Sequence, residues 1–127
     1  MKIYFDGGCR PNPGRMETAV VAAGKAHVVE DAGQGSSEEA EWLALINALE
    51  LAATMSSQRP GAGNFVLIGD ARHVVDQANG SMRCLPANAR HCETIHQLRS
   101  AIGTVRIRAV KRSHNLAGIA LSRLHPR

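Results

Sequence analysis

The sequence predicts an α/β domain on one mixed sheet, and three observations carry the prediction. Three short β-rich runs lie between Lys2 and Val29, a capped amphipathic helix follows them, and two later apolar runs are each preceded by a helical pattern. Strands that follow one another directly favour antiparallel pairing, whereas strands joined through helices favour parallel pairing.

Lys2 to Phe5, Ala19 to Ala23 and His27 to Val29 are the first three runs, each closed by glycine or charged residues. Gly33-Gln34-Gly35-Ser36-Ser37 then breaks the sheet, and Ser36 with Glu39 three residues on forms a capping-box pattern that starts a helix. In that helix Trp42, Leu45, Ile46, Leu49, Ala52 and Ala53 recur at i, i+3, i+4, i+7, one apolar stripe that faces a sheet and runs to about Met55. A loop from Ser56 to Asn64 carries Pro60 and two glycines.

Phe65 to Ile68 is continuously apolar, as in a central strand buried on both faces, and a carboxylate, Asp70, follows it. Ala71 to Gln77 reads as a short helix stopped by Asn79-Gly80. Asn88 to Ala101 reads as another, with Cys92, Ile95, Leu98 and Ile102 inward. Val105 to Val110 alternates apolar residues with Arg106 and Arg108, a half-buried strand with a basic outer face. Leu116 to Leu124 closes the chain as a helix.

The 127 residues suit a single domain, 1–127, able to bury its own core, and 3% aromatic content means that core is aliphatic and alanine-rich. Three cysteines, Cys9, Cys84 and Cys92, without CxxC spacing, support neither a disulfide framework nor a zinc site. With no signal-peptide pattern and no apolar run of membrane-spanning length, the expected location is cytoplasmic and no membrane partner is expected. A net charge of +4 favours a polyanionic partner only slightly.

Three acids stand out. Asp6 closes the first run, Asp70 follows the central one, and Glu41 borders the apolar stripe one residue before Trp42. In open sheets of this kind ligands collect beyond the carboxyl ends of strands, so the three can meet in one pocket, where their mutual repulsion calls for Mg²⁺ or Mn²⁺. Each also has a plainer reading: Asp6 as an Asx-turn residue, Glu41 as an acid favoured by the helix dipole, Asp70 as a cap of the next helix.

FDGGCRPNPG at 5–14, SSEEAEWLALINALE at 36–50, IGDARHVVDQANG at 68–80 and VKRSHNLAGIAL at 110–121 together resemble the type 1 ribonuclease H family, in order and in spacing. The resemblance implies a ribonuclease H-like fold: a mixed five-stranded sheet, three strands antiparallel and two parallel, flanked by helices. It implies that Asp6, Glu41 and Asp70 are three of four acids that bind two Mg²⁺ ions. It implies metal-dependent hydrolysis of the RNA strand of RNA/DNA hybrids to 5′-phosphate and 3′-hydroxyl ends, with no obligatory protein partner. The loop with Gly7, Gly8, Cys9, Arg10 and Asn12 would lie against the RNA strand, where glycine lets a ribose approach, and Ser37, Arg72, Lys111 and Arg112 would meet the nucleic acid.

The chain departs from the family at the fourth acid. Without a gap Ile119 stands at that position, and with a one-residue gap Gly118 does. The last carboxylate of the chain is Glu93. Two readings follow: either three acids hold the ions, helped by His114 or Asn115, with a leaning to Mn²⁺, or hybrid binding persists without cleavage. His114 also lies near a mobile histidine of the family, and Asn115 is equally a helix cap. Ser37 and Glu38 stand where many members have paired asparagines, and Glu38 would repel phosphate. The family's basic protrusion looks shortened, with Arg83 and Arg90 the only cations between Gly80 and His91. A related nuclease of different substrate, integrase-like, is the third reading.

Overall fold

The structure is a computed structural model that describes residues 1–58 and 64–125. In chain order it comprises β1 (Lys2–Cys9), β2 (Gly14–Ala22), β3 (Lys25–Val29), β4 (Gln34–Gly35), α1 (Ser37–Gln58), β5 (Phe65–Gly69), α2 (Arg72–Asn79), α3 (Ala89–Ile102), β6 (Val105–Ala109) and α4 (Leu116–Ser122). The main path of the sheet has the order β3-β2-β1-β5-β6. β1, β2 and β3 pair antiparallel, and β5 pairs parallel with β1 and with β6, the expected five strands.

The structure adds a sixth strand. Met16 and Gly33, and Ala32 and Met16, exchange backbone hydrogen bonds of 2.8 Å that bring β4 alongside the start of β2. The segment expected only to interrupt the sheet therefore adds to it. β2 and β3 meet through Ala23 and Gly24, both at positive φ, the backbone that a two-residue hairpin turn requires.

α1 buries Trp42, Leu45 and Leu49 as its periodicity predicts, and also Ala40, Ala44, Ala48 and Ala52. Alanine at every fourth position lets the helix lie close on β1, and exchanging a leucine of this core for alanine would cost about 2–5 kcal/mol. Ser36 Oγ accepts from the Glu39 N–H at 3.1 Å, the first half of the capping box, whereas the Glu39 carboxylate turns instead to His91. α1 runs on to Gln58; Pro60 and the two loop glycines lie outside the described residues.

α1, α2 and α3 cover one face of the sheet, and α4 packs across β1, β2 and β3 on the other, with Ala117 and Leu121 against Ala19. The odd cysteine count concealed a disulfide: Cys84 is bonded to Cys92, tying the segment before α3 to that helix, while Cys9 is free and buried. Among the described residues no helix is long and apolar enough to cross a membrane.

Candidate active site

β1 does not stop at Asp6. It continues through Gly7, Gly8 and Cys9 because β2 still pairs with it there, whereas β5 ends at Gly69. The parallel register sets Tyr4 opposite Ile68, and two further residues in each chain bring Asp6 level with Asp70. Glu41 arrives from α1 by close approach. A Cβ on Gly7 would lie 2.2 Å from the carbonyl carbon and oxygen of Ala40, so only glycine lets the helix start this near the strand. The Gly7 N–H donates to Glu41 Oε1.

One oxygen from each of Asp6, Glu41 and Asp70 lies within 4.8 Å of the others, the only such His, Cys, Asp or Glu group among the described residues. Burial pushes the Asp6 carboxyl up to about 6, with the Asp70 charge adding to it. Burial, then the Asp6 charge, pushes Glu41 up to about 9. Such crowding is what a divalent cation relieves, and an all-oxygen donor set suits a hard ion. Asp70 does not cap α2, whose cap position is Ala71 with no side-chain bond. Its Oδ2 instead accepts from Asn115 Nδ2 at 3.1 Å.

Asn115 is fully buried. Its Nδ2 also donates to the Phe5 carbonyl, and its Oδ1 accepts from the Ala117 N–H, so it caps α4 and holds Asp70 together. His114 is exposed and lies outside the carboxylate group. Of the two residues weighed for the fourth position, Gly118 faces Asp6, since a Cβ there would stand 3.3 Å from Asp6 Oδ2, while Ile119 is 41% exposed.

The reverse transcriptase-like family matches residues 5–125. The chain belongs to this family, as a type 1 ribonuclease H relative. Among solved structures it is similar to ribonuclease H1 of the halophilic archaeon Halobacterium salinarum NRC-1, at 29% identity and a TM-score of 0.77, covering 94% of this chain and 92% of that one. The compost metagenome LC11 ribonuclease H1 superposes with a TM-score of 0.80 at 24% identity, over 94% and 90% of the two chains. The same enzyme in complex with RNA/DNA hybrid gives 0.76 at 20%, over 90% and 87%. No curated protein sequence matches.

The ribonuclease H-type site opens into a cleft of about 1260 Å³ lined by the three acids, Ser37, Arg72, Lys111 and Arg112. Sequence reasoning missed three of its walls, His73, Asp76 and Met82. Glu38, expected only to repel phosphate, pairs with His73 at 3.0 Å across the cleft from α1 to α2. A smaller cavity of about 440 Å³ adjoins Asp6 on the α4 side, where Gly8, Arg10, Arg112 and Gly118 line it with the buried Glu17. His125 Nε2 lies 2.8 Å from Glu17 Oε1.

The loop candidates divide. Cys9 is buried, its Sγ donates to the carbonyls of Pro11 and Gly35, and it lines the smaller cavity beside Asp6. Asn12 and Ser37 are brought together: Asn12 Nδ2 donates to Ser37 Oγ at 2.9 Å and Asn12 Oδ1 accepts the Ser37 N–H at 3.0 Å. A Cβ on Gly7 would meet the Ala40 backbone and one on Gly8 would face Glu17, while both glycines line the cavity beside Asp6. No sequence signal pointed to these uses, because each depends on a segment distant in the chain.

Proposed function

We propose that this chain is a divalent-metal-dependent endoribonuclease that hydrolyses the RNA strand of RNA/DNA hybrids to 5′-phosphate and 3′-hydroxyl ends. The observation that carries the reading is the meeting of Asp6, Glu41 and Asp70 within 4.8 Å at the floor of a cleft walled by Arg72, Lys111 and Arg112. A relative of the same fold has been solved with such a hybrid.

In this reading Asp6, Glu41 and Asp70 hold Mg²⁺ or Mn²⁺, which when bound supplies Lewis acidity toward the attacking water and the leaving 3′ oxygen. Asn115 keeps the Asp70 oxygen fixed in its place, and the Gly7 N–H does the same for Glu41. Arg112 and Lys111 bind phosphate and offset the negative charge of the three acids. Asn12 and Ser37 act as one unit at the mouth of the cleft, and Arg10 serves the strand on the Gly118 side.

A second reading has its own observation: Gly118 brings no carboxylate toward Asp6, which favours a protein that binds the hybrid and cuts it weakly or not at all. Labelled RNA/DNA, RNA/RNA and DNA/DNA duplexes incubated with the protein in Mg²⁺, in Mn²⁺ and with Asp70→Asn separate the two. Cleavage confined to the hybrid and lost in the variant supports the nuclease. Tight hybrid binding without cleavage in either metal supports the binder.

A further inference from the structure

The carboxylates of this chain are unevenly placed: Glu93 is the last, and seven of the fifteen Lys and Arg residues follow it. Val105 and Ile107 of β6 face the core, so Arg106 and Arg108 stand exposed on the opposite face of the sheet. The parallel register sets Val66 between Lys2 and Arg106, and Ile68 opposite Arg108, which spreads the positive charge over the same face. α4 packs across β1, β2 and β3 and leaves Arg106 and Arg108 uncovered. Among the described residues every carboxylate ion pair within 4.0 Å uses a histidine, so neither arginine is neutralised by one.

The chain itself links this face to the cleft. β6 leads through Val110 into Lys111 and Arg112, both of which line it. From Arg112 back to Arg106 the chain covers at most about 20 Å at ~3.3 Å per residue. That is about six steps of a duplex strand at ~3.4 Å each.

The geometry points to a second phosphate track: the outer face of β6, with Arg106, Arg108 and Lys2, holds the backbone of hybrid that continues past the catalytic cleft. The substrate class is therefore an extended hybrid, not the few base pairs that fill the cleft. The inference rests on the nucleic-acid reading above and adds where the duplex runs. Charge complementarity selects a polyphosphate backbone, since the face offers two guanidiniums at alternate positions of β6 with no carboxylate paired to them among the described residues.

The test measures binding by fluorescence anisotropy in the Asp70→Asn background with Mg²⁺ present, using hybrids of about 8 and about 20 base pairs over a salt series. The long hybrid is expected to bind about tenfold more tightly than the short one. Arg106→Gln with Arg108→Gln removes that gain and lowers the log–log salt slope by about 2, at ~0.9 per phosphate contact, while leaving the short hybrid unaffected. Arg106→Lys with Arg108→Lys restores it, which separates lost charge from a lost fold. An unchanged length gain and slope in the glutamine variant would overturn the track, and so would a variant that only aggregates, the outcome expected of charges that merely protect a sheet edge. Poly-glutamate binding that needs the two arginines, beside hybrid binding that does not, would assign the face to an acidic protein and overturn it too. No binding of either hybrid would remove the nucleic-acid reading itself.

Discussion

Asn115 Nδ2 lies 3.1 Å from Asp70 Oδ2 and 3.0 Å from the Phe5 carbonyl, so one buried amide ties α4, β1 and the residue after β5 to one point. The residue that starts the last helix therefore also aims an acid of the site.

Asn115→Ala should cost about 2–4 kcal/mol: about 1 from the lost cap and about 1–3 from the Phe5 carbonyl left buried without a donor. Mn²⁺ affinity should fall as well, because Asp70 loses its restraint. Urea denaturation and calorimetric titration measure the two effects. A variant as stable as the parent, with unaltered Mn²⁺ affinity, would show that the amide holds neither.

Gly118→Asp should give the site a fourth carboxylate, because the new Cβ begins 3.3 Å from Asp6 Oδ2. Without metal the added charge should raise the Asp6 carboxyl further and lower stability. With metal, affinity and hybrid cleavage should rise by about tenfold or more, equivalent to about 1.4 kcal/mol. Ile119→Asp, on an exposed position, is the control and should change neither. If both variants behave alike, Gly118 is not the fourth position.

Stability of the metal-free protein should fall as pH rises. The Asp6 and Glu41 carboxyls are pushed up to about 6 and about 9, so between about pH 4 and those values the folded chain holds protons that the unfolded chain has released. Each unit of pH through that window favours the unfolded state. Thermal midpoints should decline from about pH 5 to about pH 8, and Mg²⁺ should raise the midpoint more at the higher pH. Glu41→Gln, which keeps an acceptor for the Gly7 N–H, should flatten the decline. A decline equally steep in that variant would move its origin elsewhere.

Gly7→Ala should be among the most damaging single changes, since its methyl would meet the Ala40 backbone at 2.2 Å. Overpacking of this kind costs about 1–3 kcal/mol where side chains yield, and more where backbone must. Circular dichroism melting should show a drop larger than for Gly24→Ala, where positive φ is the only penalty. A Gly7→Ala protein of normal stability that merely bound hybrid less well would return this glycine to a direct role at the nucleic acid.

Much of the fold was legible because periodicity is local. The alternation in Val105–Ala109, the stripe on α1 and the stop at Asn79-Gly80 appear where they were read. Less legible were β4, the Cys84–Cys92 bond and the extension of β1 to Cys9, each created by pairing with a distant segment.

Order of elements, charge segregation and the three acids were already written in the chain, since spacing and residue type are properties of short segments. Which of Gly118 and Ile119 faces Asp6 was not. Ala117 and Leu121 pack on Ala19, and that contact sets the rotation of α4. At about 100° per residue it turns Gly118 toward Asp6 and carries Ile119 round to solvent. A helix's phase about its own axis is chosen by what it packs against, and no alignment of a single chain contains that contact.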